Sequence, residues 1–235
     1  MASRQIIVQF TKTIRRWLVV LPIILVPALA NADEGEAEVS WDGMVALEET
    51  ESAVAYIDPD ADFSVFRRVS ILDPHVAFRS NWLRDQNRSR SRNIRASDVE
   101  RIKNDVGELF VSVFTEQLET AGYEVVNYVD EDVLIVRPAI IDLDITAPDI
   151  RTSTRSRTYA ADAGAATLVV ELFDSMSGDL LGRAVDRRTA RSTGGWMMSS
   201  NRVSNRSAAR REFRAWADRL VGFLDAHYVD ADVAE

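Results

Sequence analysis

Hydrophobic residues recur at helical spacing in two stretches of the chain. In the first, Ser97 and Glu100 predict a capping box at the start of a helix, and Gly122 predicts its C-terminal cap. Between them the apolar residues return every three or four positions and share one helix face. The second stretch spans residues 205–228, and its predicted buried stripe consists of Ala209, Phe213, Trp216, Leu220, Phe223, Leu224 and His227. We therefore expect two long amphipathic helices.

Strand-like segments surround the first helix. Residues 67–78 and 132–146 are rich in β-branched residues, and residues 123–129 follow the helix directly. Residues 166–191 predict a β-hairpin with Gly178 in its turn. This order of elements is typical of an α/β (α+β) domain. It predicts a mixed sheet of about five strands with two main amphipathic helices packed on it, in two or three layers.

Two prolines interrupt these strand segments. Proline has no N–H to donate to a strand ladder, so it is confined to edges, bulges and breaks. Pro74 therefore predicts a break within residues 67–78, and Pro138 predicts an edge position or a bulge within residues 132–146.

Other segments show neither the apolar spacing of a helix nor the alternation of a strand. Residues 33–55 are acidic and predict a flexible linker, and residues 230–235 predict a tail, so that a single domain spans residues 56–229. Residues 79–95 contain many arginines and few apolar residues. This composition predicts a long mobile loop.

The first 32 residues have the pattern of a secretory signal peptide. Basic residues precede an apolar run over residues 17–30, which is shorter than the ~20 apolar residues of a membrane-spanning helix. Small residues follow this run, and they predict cleavage after Ala32 and export to the periplasm. The alternative is a retained N-terminal anchor, which would associate the protein with the membrane.

The composition excludes several kinds of chemistry. The chain has no cysteine, so it has no disulfide, no acylated cysteine, no thiolate metal ligand and no cysteine nucleophile. Its net charge is −9, and removal of the four positive charges of the predicted signal peptide makes it −13. Such an acidic chain is a poor candidate for general nucleic-acid binding.

Asp142 and Asp144 are candidates for a metal or acid–base site. On a regular strand they share a face, with their carboxylates roughly 7 Å apart. Asp149 follows them, and oxygen ligands of this kind bind Mg²⁺ or Ca²⁺. The same pattern is typical of the solvated face of an amphipathic strand, where arginines of a neighbouring strand pair with the carboxylates. We favour this second interpretation and expect no metal or cofactor; the candidate partners are Arg183, Arg187 and Arg188.

We interpret the two histidines, His75 and His227, as structural. Neither belongs to a recognisable nucleophile arrangement. The phosphate-binding loop, the dinucleotide fingerprint, the nucleophile elbow and the zinc-protease motif are absent from the sequence. We therefore expect no catalytic residue.

Two irregular segments are candidates for contact with a partner. In residues 194–200, two glycines precede Trp196, Met197 and Met198, and large apolar residues on a flexible loop often mark a partner or membrane contact. Alternatively, these side chains fold back over the core. The arginines of residues 79–95 suit an anionic partner or balance the charge of an acidic domain; the candidates are Arg84, Arg88, Arg90 and Arg92.

Five stretches of the chain carry a family resemblance. They are YIDPDADFSVFRRVSILDP, LETAGYEVV, DVLIVRPAIIDLDITAPD, ELFDSMSGDLLGRAVDRR and FRAWADRLVGFLD, which are spread over roughly residues 56–226. In these stretches the chain resembles a bacterial envelope family catalogued as domain of unknown function 3313. The resemblance implies an exported protein, since the family consists mostly of predicted exported proteins, many of them lipoproteins. This chain has no cysteine to acylate, which implies a periplasmic form without a lipid anchor.

The sequence therefore predicts an exported, non-catalytic envelope protein that binds a protein or membrane partner in the periplasm. The alternative is a metal-dependent or acid–base hydrolase that uses Asp142 and Asp144, with His75 as a further candidate. A self-assembling structural subunit is a third class. The sequence identifies neither the partner nor the oligomeric state.

Overall fold

The structure is a computed structural model of the 235-residue chain. It describes residues 43–49, 53–88, 93–145, 158–160, 162–191, 198–200 and 202–227. The strands are β1 Val45–Glu49, β2 Ala53–Ile57, β3 Arg68–Ile71, β4 His75–Phe78, β5 Glu124–Val126, β6 Val133–Ile145, β7 Thr158–Ala160, β8 Asp162–Asp174, β9 Leu180–Arg191 and β10 Met198–Ser200. The helices are α1 Trp82–Arg88, α2 Ala96–Thr120 and α3 Arg202–His227, and a 3₁₀ turn spans Phe63–Val65.

Eight of the described strands form one mixed sheet. Its order is β1-β2-β9-β8-β6-β3-β5, and β4 pairs with the second half of β6. The strands β3, β4, β5 and β6 are joined by parallel pairings, and the remaining pairings of the sheet are antiparallel. The strands β7 and β10 form a separate antiparallel pair. The predicted mixed α+β class is confirmed, although the sheet has more strands than the five expected.

The helices α2 and α3 pack against each other and against one face of the sheet. Alternate residues of β6, namely Leu134, Val136 and Ile140, are fully buried in the core between them. The helical core residues include Phe110, Val113, Phe114 and Leu118 of α2 and Phe213, Trp216, Ala217 and Leu224 of α3. Burial of one large apolar side chain contributes ~1.5–3 kcal/mol, so the two predicted apolar helix faces determine the layered arrangement. None of the described helices is both long and apolar enough to cross a membrane.

The N-terminus of α2 differs from the prediction. Arg95 is the N-cap residue instead of Ser97, and its backbone N–H donates to the carboxylate of Asp98 at 3.1 Å. The carboxylate of Glu100 pairs with Lys103 at 3.0 Å. The predicted capping box is therefore wrong, because the helix begins one residue before Ser97.

The C-terminus of α2 ends as predicted. Gly122 has φ +97°, a left-handed conformation that favours glycine. The backbone N–H of Tyr123 donates to the carbonyl oxygen of Leu118 at 3.0 Å, and Gly122 donates to the carbonyl of Glu119. This pair of hydrogen bonds is a Schellman motif, which satisfies the last carbonyl groups of the helix and directs the chain into β5.

Two segments predicted to lack regular structure contain elements. Within residues 33–55, the strand β1 and the first part of β2 form one edge of the sheet, so the linker prediction is wrong there. These strands are short, and three glutamates, Glu48 and Glu49 at the end of β1 and Glu51 before β2, obscure their pattern in the sequence. Within residues 79–95, α1 replaces part of the predicted loop. Trp82 is the buried residue of this seven-residue helix, so no apolar stripe predicts it.

Pro138 lies in a central strand and not at the predicted edge. On one side of β6, β3 pairs with it as far as Val136, and β4 begins to pair at Ala139. The carbonyl of Val136 accepts from the backbone N–H of Leu72 at 2.9 Å, so the backbone polar groups of Val136 point to this side. Those of every second residue of a strand point the same way, and Pro138 is two residues after Val136. Pro138 therefore faces the break that Pro74 introduces between β3 and β4. Its missing N–H costs no ladder hydrogen bond there.

Candidate functional site

The strand β6 has a bulge at Asp142. Ile141 pairs with Thr167 of β8 and Asp144 pairs with Ala165, so β6 has one residue more than β8 between these positions. Asp142 has φ +51°, a conformation that aspartate adopts more readily than most residues. The aspartate pair therefore does not lie on a regular strand, and the alternation behind the shared-face prediction is interrupted at Asp142.

Asp144 is bound by an arginine that follows β4. Arg79 donates from Nε to Oδ2 of Asp144 at 2.7 Å and from Nη1 to Oδ2 of Asp85 at 2.9 Å. These hydrogen bonds raise the pKa of Arg79, and the one to Asp85 contributes most. In turn, the hydrogen bond from Arg79 lowers the pKa of Asp85. We refer to Arg79, Asp85 and Asp144 as the Arg79 cluster. It joins β4, β6 and α1.

The arginines of β9 do not make the ion pairs expected of them. Their described partners lie on β8, β9 and α3: Arg183 bonds to Glu171, Arg187 to Thr167, and Arg188 to Asp186 and Glu212. The prediction that one of them pairs with the aspartates is wrong, because β8 lies between β6 and β9. A residue of β9 is two strand spacings, ~9.5 Å, from β6.

The candidate ligands that the structure describes do not gather around the aspartate pair. Within the described ranges, no group of three His, Asp or Glu side chains could hold a metal ion. Asp149 lies outside these ranges. His75 is exposed on β4. Nδ1 of His227 lies 2.8 Å from the carbonyl oxygen of Phe223, and its ring packs beside Phe63.

The helix α1 is fixed to the domain on its inner side. Trp82 is 1% exposed, stacks on Phe78 at a ring distance of 3.9 Å and donates its indole N–H to the carbonyl of Ile145 at 3.2 Å. At the other end of the helix, Asn87 exchanges two hydrogen bonds with the backbone of Ile94. The helix is therefore held at both ends and, through Asp85 of the Arg79 cluster, at its middle.

The outer side of α1 carries two of the predicted contact residues. Arg84 and Arg88 are one helical turn apart and are both exposed, and Leu83 beside them is 37% exposed. The side chain of Arg84 is 65% exposed, and its one described ion pair is a loose contact of 3.8 Å with Asp85. We call Leu83, Arg84 and Arg88 the α1 face. Arg84 and Arg88 were predicted to lie on a mobile loop; in the structure they lie on a helix that is fixed to the domain.

The other predicted contact residues have no described side-chain positions. Arg90, Arg92, Trp196 and Met197 lie outside the described residues, as does the predicted cleavage site at Ala32. Met198 begins the strand β10, which pairs with β7. The structure therefore describes only the α1 part of the predicted contact surface.

A second ion-pair cluster lies at the opposite end of β6. Arg68 of β3 donates from Nε to Oδ2 of Asp132 at 2.9 Å and bonds to Asp130 and Tyr128. The hydrogen bond from Arg68 lowers the pKa of Asp132, and the same bond contributes most to the raised pKa of Arg68. This cluster joins the start of β3 to the turn before β6.

Two hollows lie between α3 and the sheet. The first has a volume of about 150 Å³ and lies between α2, α3 and the ends of β6 and β8 near the bulge. The second, of about 360 Å³, lies between α3 and the strands β2 and β9. Trp216 lines both. Trp216 belongs to the predicted buried stripe of α3. The first hollow was not predicted, and its signal in the sequence is the pairs of alanines at 165–166 and 208–209, which leave space between the elements that carry them.

The structure thus defines a two-layer α+β domain with a basic, anchored helix beside one end of its sheet. The chain belongs to the family described as "Protein of unknown function (DUF3313)", whose sequence model matches residues 40–220. This confirms the predicted family. No curated protein matches the chain significantly.

The chain is remotely similar to several solved structures. PelC from Paraburkholderia phytofirmans, solved as a dodecamer, has 13% identity and a TM-score of 0.36, with 70% of this chain and 94% of that chain covered. A DUF330 protein from Xanthomonas campestris has 12% identity and a TM-score of 0.37, covering 68% and 84%. A DUF4136 family protein from Bacteroides thetaiotaomicron has 11% identity and a TM-score of 0.35, covering 72% and 97%.

Proposed function

We propose that this protein is exported to the cell envelope and acts there by binding a protein or membrane partner, without catalysis. Its mature form begins after Ala32 and is periplasmic. The observation that carries the proposal is the arrangement of α1. This helix is fixed to the domain on one side and presents a basic and apolar face on the other.

Anchoring favours binding because it reduces the entropy lost on association. A side chain on a mobile loop must be ordered when a partner binds, at a cost of ~0.5–1.5 kcal/mol for each immobilised side chain, in addition to the ordering of the loop backbone. The backbone of α1 is already held by Trp82, Asp85 and Asn87. The α1 face is therefore pre-organised for contact.

The chemistry of the α1 face suits a partner that carries negative charge. Guanidinium groups bind carboxylates and phosphates with two parallel hydrogen bonds, and the exposed Leu83 of the same helix offers the partner an apolar contact. The chain as a whole is acidic, with a net charge of −9. A basic face on an acidic protein orients the encounter with an anionic partner, because other surfaces repel it.

The Arg79 cluster supports binding over hydrolysis. A catalytic base or a metal ligand needs a free lone pair aimed at the reacting atom or the ion. Oδ2 of Asp144 already accepts the hydrogen bond from Arg79 at 2.7 Å. The positive charge of this guanidinium group, which also holds α1, disfavours a cation at the same carboxylate.

Binding is tested with two charge-reversed forms of the full chain. Arg84→Glu/Arg88→Glu reverses the α1 face, and Arg211→Glu/Arg214→Glu makes the same change of charge at exposed positions of α3. Each protein is crosslinked in periplasmic and envelope fractions, and its flotation is measured with vesicles of phosphatidylglycerol and phosphatidylcholine and with vesicles of phosphatidylcholine alone. We expect the wild type and the α3 variant to capture the same partner, and the α1 variant to lose it.

The two assays distinguish the two kinds of partner. Flotation only with phosphatidylglycerol, lost in the α1 variant, identifies a membrane surface. A discrete crosslinked protein, captured again when its purified form is mixed with the wild type, identifies a protein partner. Equal behaviour of both variants in both assays would contradict the assignment of binding to the α1 face.

A further inference from the structure

The second hollow lies over strands that carry small residues on the face toward α3. On β9, Gly182 pairs with Leu172 and Ala184 pairs with Val170. Leu172 and Val170 belong to the hydrophobic core, and paired residues of an antiparallel ladder share a face. Gly182 and Ala184 therefore also face α3, and Ala55 of β2, the partner of Ala184, continues the row. The small size of these residues creates the hollow.

The helix α3 covers this floor of small residues incompletely. Val170 is 8% exposed, whereas its partner Ala184 is exposed to solvent. The helix side of the hollow is formed by Trp216, Leu220 and Phe223. Toward the sheet edge, Leu47 of β1 lines the hollow and is 49% exposed. The second hollow is therefore an apolar groove that opens to solvent.

The second hollow has the length of a medium alkyl chain. Its floor on β9 extends from Gly182 to Asp186, which is ~14 Å along a strand. Its wall on α3 extends from Trp216 to Phe223, which is ~10 Å along a helix. With carbon–carbon bonds of ~1.5 Å, an extended chain of about eight to ten carbons is about 9–11 Å long. Such a chain fits along the hollow.

An ion pair lies at one end of the second hollow. Asp186 is 8% exposed and lines the hollow, and its Oδ2 accepts a hydrogen bond from Nη1 of Arg219 at 3.0 Å. Because this bond joins β9 to α3, it crosses the space between the floor and the helix. The side chain of Arg219 is 50% exposed, and a guanidinium group has five N–H donors. Arg219 therefore offers donors to an anion at the mouth of the hollow.

The charges near Arg219 favour an anion. Asp186 also accepts a hydrogen bond from Nε of Arg188 at 3.0 Å, so two guanidinium groups share this carboxylate. Among the described residues, Arg188 has a second carboxylate partner in Glu212 at 3.8 Å, whereas Arg219 pairs with Asp186 alone. Arg183, the other charged residue of the lining, bonds to a carboxylate on the opposite face of the sheet. The charge of Arg219 is therefore only partly compensated.

We propose that the second hollow binds a fatty acid. The alkyl chain lies along the small residues of β9 and β2 and covers Ala184, and the carboxylate accepts hydrogen bonds from Arg219 at the mouth. Binding removes apolar surface of both the chain and the hollow from water, which is the main source of affinity. This site is separate from the α1 face and does not depend on the function proposed for that face.

The first test is a series of fatty acids of increasing length. Hexanoate, octanoate, decanoate and dodecanoate are titrated into the full chain by calorimetry, each below its critical micelle concentration. Each buried methylene group should tighten binding by about fourfold, so the affinity should rise steeply up to decanoate and level off at dodecanoate. No saturable binding of decanoate, or an affinity that does not depend on chain length, would overturn the proposal.

The second test concerns the carboxylate. Octanol has the alkyl chain of octanoate and no charge. The ratio of the octanoate affinity to the octanol affinity should fall by about three- to fivefold in Arg219→Gln, as expected for a partly exposed ion pair. It should stay unchanged in Arg211→Gln, at an exposed position of α3 that lines neither hollow. The ratio cancels any effect of the substitution on the alkyl chain, and an unchanged ratio in Arg219→Gln would contradict the proposed site of the carboxylate.

Two alanine variants locate the site. Ala184→Phe fills the second hollow from an exposed position, and Ala226→Phe adds the same side chain at an exposed position that lines neither hollow. We expect Ala184→Phe to weaken decanoate binding at least tenfold and Ala226→Phe to leave it unchanged, with cooperative thermal unfolding in both. Binding that persists in Ala184→Phe would exclude the second hollow. A wild-type dimer that does not bind decanoate and dissociates in Ala184→Phe, as measured by light scattering, would identify a second copy as the occupant and overturn the proposal.

Discussion

Arg79 and Asp144 connect the end of one strand to the bulge of its neighbour. The strands β4 and β6 run parallel, and Phe78 lies opposite Leu143, so Arg79, the residue after β4, comes next to Asp144 of β6. The hydrogen bond of 2.7 Å joins these two residues, and the second arm of Arg79 reaches Asp85 of α1. The carboxylate that the sequence offers as a catalytic candidate thus helps to position the helix that carries the proposed binding face.

The Arg79 cluster predicts different effects for the two aspartates of β6. Asp144→Asn weakens the contact with Arg79, so amide hydrogen exchange in α1 should become faster, by up to about fivefold for a partly exposed ion pair. Asp142→Asn alters an exposed side chain and should leave exchange in α1 unchanged. Exchange rates measured by mass spectrometry test this directly. Equal acceleration in both variants would refute the cluster as an anchor of α1.

Asp85 and Asp132 should make the fold sensitive to acid. Hydrogen bonds from Arg79 and Arg68 lower the pKa of these carboxyls below the ordinary value of 3.8. A carboxyl with a lower pKa in the folded than in the unfolded state stabilises the fold above the unfolded-state pKa. This contribution is lost as the pH falls from about 4 through the folded-state pKa. We therefore expect the urea midpoint to fall in this range, as measured by circular dichroism.

The double variant Asp85→Asn/Asp132→Asn controls for the other carboxyls. It lacks these two carboxyls, so its urea midpoint should depend less on pH below about pH 4 than that of the wild type. A pH profile parallel to that of the wild type would assign the acid sensitivity to other residues.

Gly164 should tolerate no side chain. A Cβ atom at this position would overlap the carbonyl oxygen of Asp144, and its φ of +159° adds strain for other residues. Gly164→Ala should therefore lower the free energy of unfolding by ~1–3 kcal/mol. The control is Gly222→Ala in α3, where the new Cβ meets open space; it should raise the free energy of unfolding by ~0.5–1 kcal/mol. Urea titrations of both variants measure these changes. An unchanged free energy of unfolding in Gly164→Ala would contradict the close approach of β6 and β8.

The long elements could be predicted from the sequence because each follows from a local pattern. The apolar faces of α2 and α3 repeat over many turns, and Gly122 marks the end of α2 by its need for positive φ. The hairpin of β8 and β9 turns at Gly178, whose φ of +75° is of the same kind. Short elements gave no such pattern. The helix α1 buries Trp82 alone, and β2 is recognisable only once it pairs with β9.

The candidate site could not be predicted in detail because its contacts are distant in sequence. Arg79 and Asp144 are 65 positions apart, and nothing in the local pattern selects this arginine over those of β9. The bulge at Asp142 also changes the alternation that placed the two aspartates on one face. The choice of Arg84 and Arg88 as contact residues remains a prediction, now on a defined helix face.

The most direct test of the proposed binding function is photo-crosslinking from α1 in living cells. A photoreactive amino acid replaces Leu83 in the full chain, and the control replaces Val65, a similarly exposed residue in the 3₁₀ turn. If the α1 face binds an envelope partner, irradiation yields a discrete protein or lipid adduct from position 83, none from position 65, and none from position 83 when Arg84→Glu/Arg88→Glu is added. The absence of an adduct at position 83, or the same adducts from both positions, would contradict the proposed function.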